Sequence, residues 1–593
     1  MHDNEAVEKA FSDYEEPPVK PKGHILRELI DNSLAVKKRR FLPKGKEIVR
    51  YSYGDVDGDQ TFEYQSWDTT NSFEAKVAKT HQAIREFGPY LYQTNPECRT
   101  SVWDNATENV ITRAEMLESY LNWTTREYDA FGERRRSIDD AISWGRGVVW
   151  HGLHKDKPNV VVSVQDSVEN LLVDGDAVTG HEVNWVGRRR LLPRWKWLNA
   201  HPKARKTIME AGEYGGSNAE VTEREGGVAP STDLIEGYEI YMKVGLDNYR
   251  DQPEHINDDM EVDNSPRRYV LIDDKVVDEG DWPIPYHVDG EWPCTFLDFI
   301  DHPRSVWPIS PLEAGLGWQK AINWAATAFI AKYRFNSRNI IAILKNANIE
   351  ITEEQLDDVV NADDPVMVLE MLDKGGDDSA NVNKYIQQIQ LSSDINEALA
   401  VLDYLSSEYE KATGLNEILF TGNTGGQFRN AKAAELAETA GRSRIDDMFS
   451  RVEQWLSIVS RKEAMAARYL LDEMDMRPLF GDTARVWGTL GTEEMKDPRA
   501  QFMRLIQNGA LPDMETVQIA QEQAANVITL QDWAQESEYT IEAGSTRRRT
   551  PEQEREVLTE AMNQVVPILL QSEDPATRAN GLDITALHME RGG

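Results

Sequence analysis

The segment from Asn430 to Leu471 contains no proline, and this most constrains what the chain can fold into. Its apolar residues recur at helical spacing, near one stripe: Leu436, Ile445, Met448, Val452, Trp455, Val459 and Tyr469. At 1.5 Å per residue, such a helix would be about 60 Å long, roughly twice the width of a small domain. The segment predicts a largely helical fold, and Gly441 is the predicted position of a kink.

Two more helices are predicted upstream of this segment. Ser310, Pro311 and Glu313 form an N-terminal capping pattern, which predicts a helix from Ser310 to about Tyr333. A second helix is predicted from a seam of apolar residues at spacings of three and four: Ile395, Leu399, Leu402, Leu405, Tyr409 and Ala412. Between the two helices, the runs 339–344 and 365–370 flank a capping box at 352–355, which predicts a small β-α-β insertion.

The remainder of the chain divides by composition. Residues 1–22 are acidic and proline-rich, which is typical of a flexible arm. Helical periodicity follows between residues 73 and 145, and β-branched or alternating runs occur at 160–165, 238–244 and 268–277. A capping box at 550–553 predicts a C-terminal helix. The predicted fold class is α+β and predominantly helical.

Charge and cysteine content exclude several classes of function. With 102 acidic and 65 basic residues, the net charge of −37 disfavours tight, sequence-specific nucleic-acid binding by the whole surface. Four short basic runs, at 37–40, 134–136, 188–190 and 547–549, are interpreted as solvated surface. The two cysteines, Cys98 and Cys294, cannot form a disulfide framework or a four-thiolate zinc site.

The sequence predicts neither membrane insertion nor secretion. The longest central run without charge, 321–331, has 11 residues, about half of what a bilayer-spanning helix needs. The N-terminus lacks the basic and apolar regions of a signal peptide, so cytoplasmic synthesis is expected.

No catalytic site, metal site or cofactor is predicted. The chain has no nucleotide-binding G-x-x-x-x-G-K-[ST] motif, and the run 55–59 lacks the glycine and the final glutamate of a calcium loop. His151 and His154 are interpreted as surface or β-edge histidines, because no third ligand lies near them. Asp258, Asp259, Glu261 and Asp263 could hold Mg²⁺, but their sequence context favours a solvated loop.

Four glycines and no sustained helical periodicity mark residues 414–428, GLNEILFTGNTGGQF, as a predicted flexible loop directly before the long helix. A phosphate-binding role is disfavoured, since a lysine and a preceding strand are both missing.

The order of segments from Ser310 to Leu471 resembles that of the portal proteins of tailed double-stranded DNA bacteriophages. SPLEAGLGWQKAINWAATAFIAKY (310–333) is similar to the first stem helix of that family. The stretch 413–456 is similar to its tunnel loop followed by its long kinked helix, and 140–177 and 290–316 resemble its wing. The resemblance covers roughly residues 70 to 475.

The resemblance implies a protomer with wing, stem, clip and crown. The implied parts are an N-terminal arm (1–22), the wing (23–309), the first stem helix (310–335), the clip (336–390), the second stem helix (391–413), the tunnel loop (414–429), the long kinked helix with the remainder of the wing (430–499) and the crown (500–593). Portal proteins form a ring, usually of twelve subunits, at one capsid vertex. DNA is packaged and ejected through the ring, so the expected location is the virion, after assembly in the host cytoplasm.

The implied partners are other copies of the chain, double-stranded DNA passing without sequence specificity, the terminase large subunit, head–tail adaptor or tail proteins, the major capsid protein and scaffold. The implied tunnel-loop residues are Gly422, Asn423, Thr424, Gly425, Gly426, Gln427 and Arg429. Stem packing is expected at Ile395, Leu399, Leu402 and Leu405, between subunits or against the first stem helix. Partner contacts in the acidic clip are expected at Asp357, Asp358, Asp363 and Asp364, for which a solvated helix face is the alternative.

Two other functions stay open at this point. One is a metal-dependent DNA-processing enzyme that uses the acidic cluster at 258–263. The other is a helical virion or scaffold protein without a channel. The favoured function is a non-enzymatic DNA conduit and assembly platform.

Overall fold

The computed structural model describes residues 21–53, 77–103, 106–157, 159–212, 234–246, 265–337, 340–343, 386–389, 395–414, 431–491, 493–510, 513–525, 527–535 and 538–541. Within them the fold is mixed α+β, as the sequence predicts. The helices are α1 (Lys22–Arg39), α2 (Phe41–Tyr53), α3 (Lys79–Leu91), α4 (Glu108–Glu127), α5 (Ala130–Ser143), α6 (Arg194–Ala200), α7 (Arg205–Glu210), α8 (Leu316–Ser337), α9 (Ile395–Thr413), α10 (Ala431–Leu470), α11 (Glu473–Phe480), α12 (Pro498–Gln507), α13 (Met514–Ala525) and α14 (Leu530–Gln535).

The strands are short. They are β1 (Cys98–Ser101), β2 (Arg146–Leu153), β3 (Val161–Gln165), β4 (Leu171–Val173), β5 (Trp185–Pro193), β6 (Leu234–Met242), β7 (Arg267–Ile272), β8 (Lys275–Gly280), β9 (Cys294–Asp298), β10 (Ile340–Ile343), β11 (Ile386–Ile389), β12 (Thr489–Leu490), β13 (Val527–Ile528) and β14 (Glu538–Ile541).

The chain divides into two units, each compact in itself. The first unit comprises residues 1–47, 84–311 and 442–593, and the second comprises 48–83 and 312–441. The described residues 48–53 and 77–83, which the resemblance assigns to the wing, thus group with the predicted stem helices. Described residues beyond 500, which the resemblance assigns to a crown, belong to the first unit, where β14 pairs with β1.

The first unit contains an antiparallel meander of five strands in the order β4-β5-β6-β7-β8 and a three-stranded antiparallel sheet in the order β3-β2-β9. The run 268–277 is a hairpin: Asp273 and Asp274 join β7 to β8 with φ values of 44° and 59°. Two consecutive residues in the left-handed region give a turn whose twist matches that of the paired strands.

Helices cover both faces of the five-stranded sheet, because successive side chains along a strand point to opposite faces. On one face the core joins α1 to the sheet: Ile25, Leu26, Leu29 and Ile30 with Leu172, Trp185, Tyr238, Ile240, Met242, Tyr269 and Leu271. On the other face it joins the α6–α7 region to the sheet: Trp197, Ile208 and Ala211 with Ile235, Val270 and Ile272. Strand β6 contributes to both cores, which explains why its sequence shows little polar alternation.

The predicted long helix is confirmed as α10, a continuous helix of 40 residues. Five members of the predicted stripe are buried: Ile445, Met448, Val452, Trp455 and Val459. Tyr469, which was also predicted to lie on the stripe, is 38% exposed. The centre of its ring lies 6.0 Å from that of the Trp533 ring.

The predicted helix start at Ser310 is wrong. A 3₁₀ turn spans Glu313–Gly315, and α8 begins at Leu316. Ser310 is buried, and its hydroxyl donates a hydrogen bond of 2.7 Å to the carbonyl of Ile142. This hydrogen bond ties Ser310 to the end of α5.

The interpretation of the basic runs as solvated surface is also wrong in three runs: two contain a buried cation, Lys37 or Arg134, and the third contains Arg188, whose side chain is only 17% exposed. Lys37 donates to the carbonyls of Val168, Glu169 and Leu171 at 2.6–2.9 Å, and burial lowers its pKa to about 7. Arg134 and Arg188 form ion pairs with Glu463 and Glu239. The run 547–549 lies outside the described residues.

Candidate functional site

The described residues include only part of the predicted sites. All seven tunnel-loop residues (Gly422, Asn423, Thr424, Gly425, Gly426, Gln427 and Arg429) and the four clip aspartates (Asp357, Asp358, Asp363 and Asp364) lie outside them, as does the acidic cluster at 258–263. The predicted stem is described as α8 and α9, so the candidate site is built from this pair.

In the second unit, α8 and α9 form an antiparallel helical hairpin. A Cβ added to Gly315, just before α8, would lie 2.6 Å from Cγ2 of Thr413, the last residue of α9. At the opposite ends of the two helices, β10 follows α8, and β11 precedes α9. These strands pair antiparallel, with Ile340 opposite Ile389. The helical hairpin therefore continues into a two-stranded ribbon.

The ribbon agrees with one strand of the predicted insertion. The run 339–344 forms β10, as predicted, while the other predicted elements, at 352–355 and 365–370, lie outside the described residues. The partner strand β11 was missed by sequence reasoning. Its sequence IQQI has no run of β-branched residues, and its pairing partner lies more than forty positions away in the chain.

Polar side chains fix the base of the helical hairpin. Gln319 is fully buried, and its carbonyl oxygen accepts hydrogen bonds from the backbone N–H and the hydroxyl of Thr80, at 3.1 and 3.0 Å. Its amide nitrogen donates to the carbonyl of Val77 at 2.6 Å, and the hydroxyl of Tyr409 lies 3.3 Å from that of Thr80. Because buried polar groups cost free energy unless they are paired, this network defines one register of α8 and α9 against the start of α3.

Gly414 directly follows the last residue of α9. This residue has a φ of 83°, and its N–H donates a hydrogen bond of 2.8 Å to the carbonyl of Glu410. A glycine in the left-handed region is the usual end of a helix. The sequence of the predicted tunnel loop therefore begins at a defined helix end.

Away from this base, the hairpin exposes large apolar side chains. Their exposed fractions are 73% for Trp324, 37% for Ile330, 47% for Leu399, 46% for Val401 and 60% for Tyr404. The predicted seam is thus buried at Tyr409, half-buried at Leu402 and Leu405, and open at Leu399. For Ile395 the structure gives the helical backbone alone.

Three exposed large apolar side chains of α9, Leu399, Val401 and Tyr404, lie on two sides of that helix. Val401 and Tyr404 are three residues apart and therefore share one side. Leu399 precedes Val401 by two residues, about 200° around the helix, and lies on the other side. Helix α9 therefore exposes apolar side chains on both of these sides.

A buried ionic cluster in the first unit was missed by sequence reasoning. Its centre is Glu463 of α10, which lies 3.4 Å from a guanidinium nitrogen of Arg134, and both side chains are at most 2% exposed. Tyr128 and Ser163 donate their hydroxyl protons to the same carboxylate oxygen, at 2.8 and 2.5 Å. Burial also raises the pKa of Tyr128, so its hydroxyl stays protonated and remains a donor.

His151 belongs to this cluster, so its assignment to the surface or to a β-edge is wrong. Its ring nitrogens lie 2.8 Å from the hydroxyl of Ser163 and 2.7 Å from that of Thr295. Burial lowers the pKa of His151 well below its usual value, which keeps the ring neutral. The other histidine of the pair, His154, is half-buried, and its Nδ1 accepts hydrogen bonds of 3.1 Å from the backbone N–H groups of Asp156 and Lys157.

The contact between Ser163 and His151 has the spacing of a nucleophile and its base, but its surroundings indicate a structural role. Ser163 is fully buried, and its hydroxyl proton is donated to Glu463, an acceptor other than the imidazole. A nucleophile must meet a substrate, and this hydroxyl is enclosed by strands β2, β3 and β9 and by α10. The cluster anchors α10 in the first unit.

Three further observations concern the reactivity of the thiols, metal binding and membrane insertion. Both thiols, Cys98 and Cys294, are buried, and burial raises the pKa of each to about 12. Among the described residues, no group of three or more histidines, cysteines or carboxylates could hold a metal ion. No helix in the described part of the chain is long and apolar enough to cross a bilayer.

A comparison of the chain with models of known protein families gave no match, and a search of curated proteins gave none either.

Proposed function

We propose that this chain is the subunit of a portal ring, a non-enzymatic channel for double-stranded DNA at one vertex of a phage capsid. In this role it also provides the platform for the packaging motor and the tail. The observation that carries the proposal is the helical hairpin of α8 and α9, which continues into the β10–β11 ribbon and exposes large apolar side chains. The order of segments in the sequence supports the same assignment.

The two-sided exposure of α9 supports a ring in particular. In a ring each subunit meets two neighbours through two different surfaces, and closure of the rotation ends the assembly. Tyr404 lies on one side of α9 and Leu399 on the other, and both are about half exposed in the single chain. In the proposed ring, the side of α9 that carries Tyr404 contacts the opposite side of the neighbouring hairpin.

Replacement of an exposed stem residue by aspartate is expected to stop ring assembly without unfolding the subunit. Tyr404→Asp and Leu399→Asp each place a charge where the neighbour would bury it, which costs several kcal/mol per interface. In the single chain both positions are exposed, so the unfolding free energy is expected to change by about 0.5 kcal/mol or less. Native mass spectrometry and electron micrographs measure assembly, and thermal unfolding measures stability.

Mixing the two aspartate variants provides a second test of the proposed interface. Each retains one intact surface, so an equimolar mixture is expected to give capped dimers and no rings. Met474→Asp is the matched control, because it adds the same charge at an apolar residue that is 69% exposed and lies in the first unit. A wild-type chain that stays monomeric at micromolar concentration, or rings that persist in both aspartate variants, would contradict the proposal.

Deletion of residues 421–427 tests the tunnel-loop assignment separately. Glycines permit backbone conformations that other residues resist, and a lining that yields to passing DNA needs this freedom. We expect the deletion variant to form normal rings but to lose packaged DNA. The measurement is the genome content of virions assembled with the variant, and full-length genomes retained at wild-type yield would refute the assignment.

A further inference from the structure

One segment of this acidic protein is strongly basic. Residues 188–206 contain eight basic residues and no acidic residue, in a chain whose net charge is −37: Arg188, Arg189, Arg190, Arg194, Lys196, Lys203, Arg205 and Lys206. Such a local reversal of charge produces a positive potential over a limited surface.

The fold holds this segment rigidly on the five-stranded sheet. Strand β5 leads into α6, a 3₁₀ turn at Pro202–Ala204 and then α7. Trp197 of α6 packs against Gly237, where an added Cβ would lie 2.5 Å from the indole ring, and its Nε1 donates to the carbonyl of Ile235 at 3.1 Å. Arg194 donates to the carbonyls of Ile208 and Ala211, at 2.6 and 3.2 Å, and so ties α6 to the end of α7.

The eight cations fall into two groups. Arg188 and Arg190 pair with Glu239, Arg189 pairs with Glu236, and Arg194 is occupied as described above. The other four, Lys196, Lys203, Arg205 and Lys206, are exposed. Among the residues that the structure describes, no carboxylate lies within 4.0 Å of any of these four.

Neighbouring carboxylates have other partners. Glu210, at the end of α7, lies 3.8 Å from the ammonium group of Lys275. Asp278 lies 3.0 Å from a guanidinium nitrogen of Arg268 and 3.4 Å from a ring nitrogen of His201. Among the residues that the structure describes, these nearby carboxylates are thus paired with cations other than the four exposed ones.

An exposed indole lies beside one of these cations. Trp195 is 55% exposed, and the ammonium nitrogen of Lys196 lies 5.4 Å from the centre of its ring. Trp197, two residues later, is 2% exposed and forms the contact with the sheet. Trp197 alone thus packs α6 against the sheet. The ring of Trp195 is not needed for this packing and is available to a partner.

We propose that Trp195, Lys196, Lys203, Arg205 and Lys206, here called the basic platform, bind the sugar–phosphate backbone of double-stranded DNA without sequence specificity. The four cations lie on long side chains, and no described acceptor orients them. This arrangement suits a repeating polyanion better than a single shaped ligand. The proposal does not depend on ring formation.

The strength of the interaction follows from the number of cations. Neutralising about four phosphates predicts a slope of about −3.6 for the logarithm of the binding constant against the logarithm of salt concentration. The net charge of the chain is −37, which opposes contact with DNA over most of its surface. We expect micromolar or weaker binding near physiological salt, and much tighter binding at low salt.

The test measures binding of the full chain to a fluorescein-labelled duplex of about 30 base pairs by fluorescence anisotropy, at several salt concentrations and with two unrelated sequences. The variant Lys203→Gln/Arg205→Gln/Lys206→Gln is expected to reduce the slope by about 2.7. Lys38→Gln/Arg39→Gln/Arg40→Gln is the matched control. It removes the same charge from exposed positions in the first unit and should leave the slope unchanged. Trp195→Ala should weaken binding several-fold at an unchanged slope.

Three outcomes would overturn the proposal. The wild-type chain could fail to bind the duplex at low salt, or the two triple variants could lose binding equally. Alternatively, polyglutamate could bind through these residues while the duplex does not, which would assign the basic platform to an acidic protein. Normal rings with no DNA binding would refute the platform and leave the proposed function intact, whereas monomers that bind DNA would do the reverse.

Discussion

Replacing Glu463 with leucine is expected to lower the free energy of unfolding of the first unit by about 3–5 kcal/mol. The variant leaves Arg134 as a buried cation, with its guanidinium 3.4 Å from where the carboxylate was and its side chain 2% exposed. It also removes the acceptor of the hydroxyl groups of Tyr128 and Ser163. Urea unfolding followed by far-UV circular dichroism gives the free energy and shows whether the transition remains cooperative.

Two further variants separate the buried charge from the loss of packing. Arg134→Met combined with Glu463→Leu removes both charges and should recover much of the lost stability, since a matched apolar pair often replaces a buried ion pair without cost. Asp447→Asn, on the same helix, breaks an exposed pair with Arg451 at 3.7 Å and should cost less than about 1 kcal/mol. A Glu463→Leu variant within 1 kcal/mol of wild type would show that the ion pair is not needed.

The long helix could be predicted because its signal is local. A proline-free segment with one apolar stripe has few alternatives to a helix, and Ile445, Val452 and Val459 are buried along α10. The order of helix, strand and helix around β10 could also be predicted. The partner strand β11 could not, because strand pairing is decided by contacts distant in sequence.

The buried cations could have been found from their helical phase. Lys37 lies seven residues after Ile30 on α1, and Arg134 lies four residues before Ile138 on α5, so each occupies a position on the apolar stripe of its helix. Their neighbours in the basic runs lie on other sides of the same helices and are more exposed. A basic run shows only the composition of a segment, whereas the burial of each side chain depends on its angle around the helix axis.

Ser310 is an example of a local sequence pattern that predicts the start of a helix wrongly. The segment that begins at Ser310 satisfies the local rules for a helix N-terminus, yet a 3₁₀ turn comes first and the α-helix begins six residues later. The local pattern predicts that a helix starts near this point, but it does not determine the residue at which α-helical hydrogen bonding begins. For the candidate site, sequence reasoning predicted the two helices of the hairpin but not which of their apolar residues stay exposed.

The second large effect concerns Glu239, which lies on the side of the five-stranded sheet that also packs α6. Its carboxylate is 2.8 Å from a guanidinium nitrogen of Arg188 and 3.7 Å from one of Arg190, and it accepts a hydrogen bond of 2.8 Å from Tyr241. Burial alone would raise the pKa of Glu239, but these arginines and Arg268 lower it to about 2. The carboxylate is therefore charged in the folded protein at any pH above that value.

This lowered pKa gives a definite pH dependence of stability. The ordinary pKa of a glutamate is 4.5, so between pH 4.5 and pH 2 the unfolded chain binds a proton that the folded chain does not. Protonation then favours unfolding. The stabilisation from Glu239, about 3 kcal/mol, is complete above pH 4.5 and is lost as the pH falls toward 2.

Glu239→Gln is expected to lower the free energy of unfolding by about 3 kcal/mol at pH 7 and by much less near pH 2. The difference between variant and wild type should therefore shrink across the window from pH 4.5 to pH 2, which urea unfolding at several pH values can measure. Glu236→Gln is the control on the same strand. Glu236 pairs with Arg189 on the opposite side of the sheet and is 28% exposed, so its replacement should cost less than about 1 kcal/mol. A Glu239→Gln variant whose deficit is the same at pH 7 and pH 2 would show that lost packing, not the charge of the carboxylate, explains the effect.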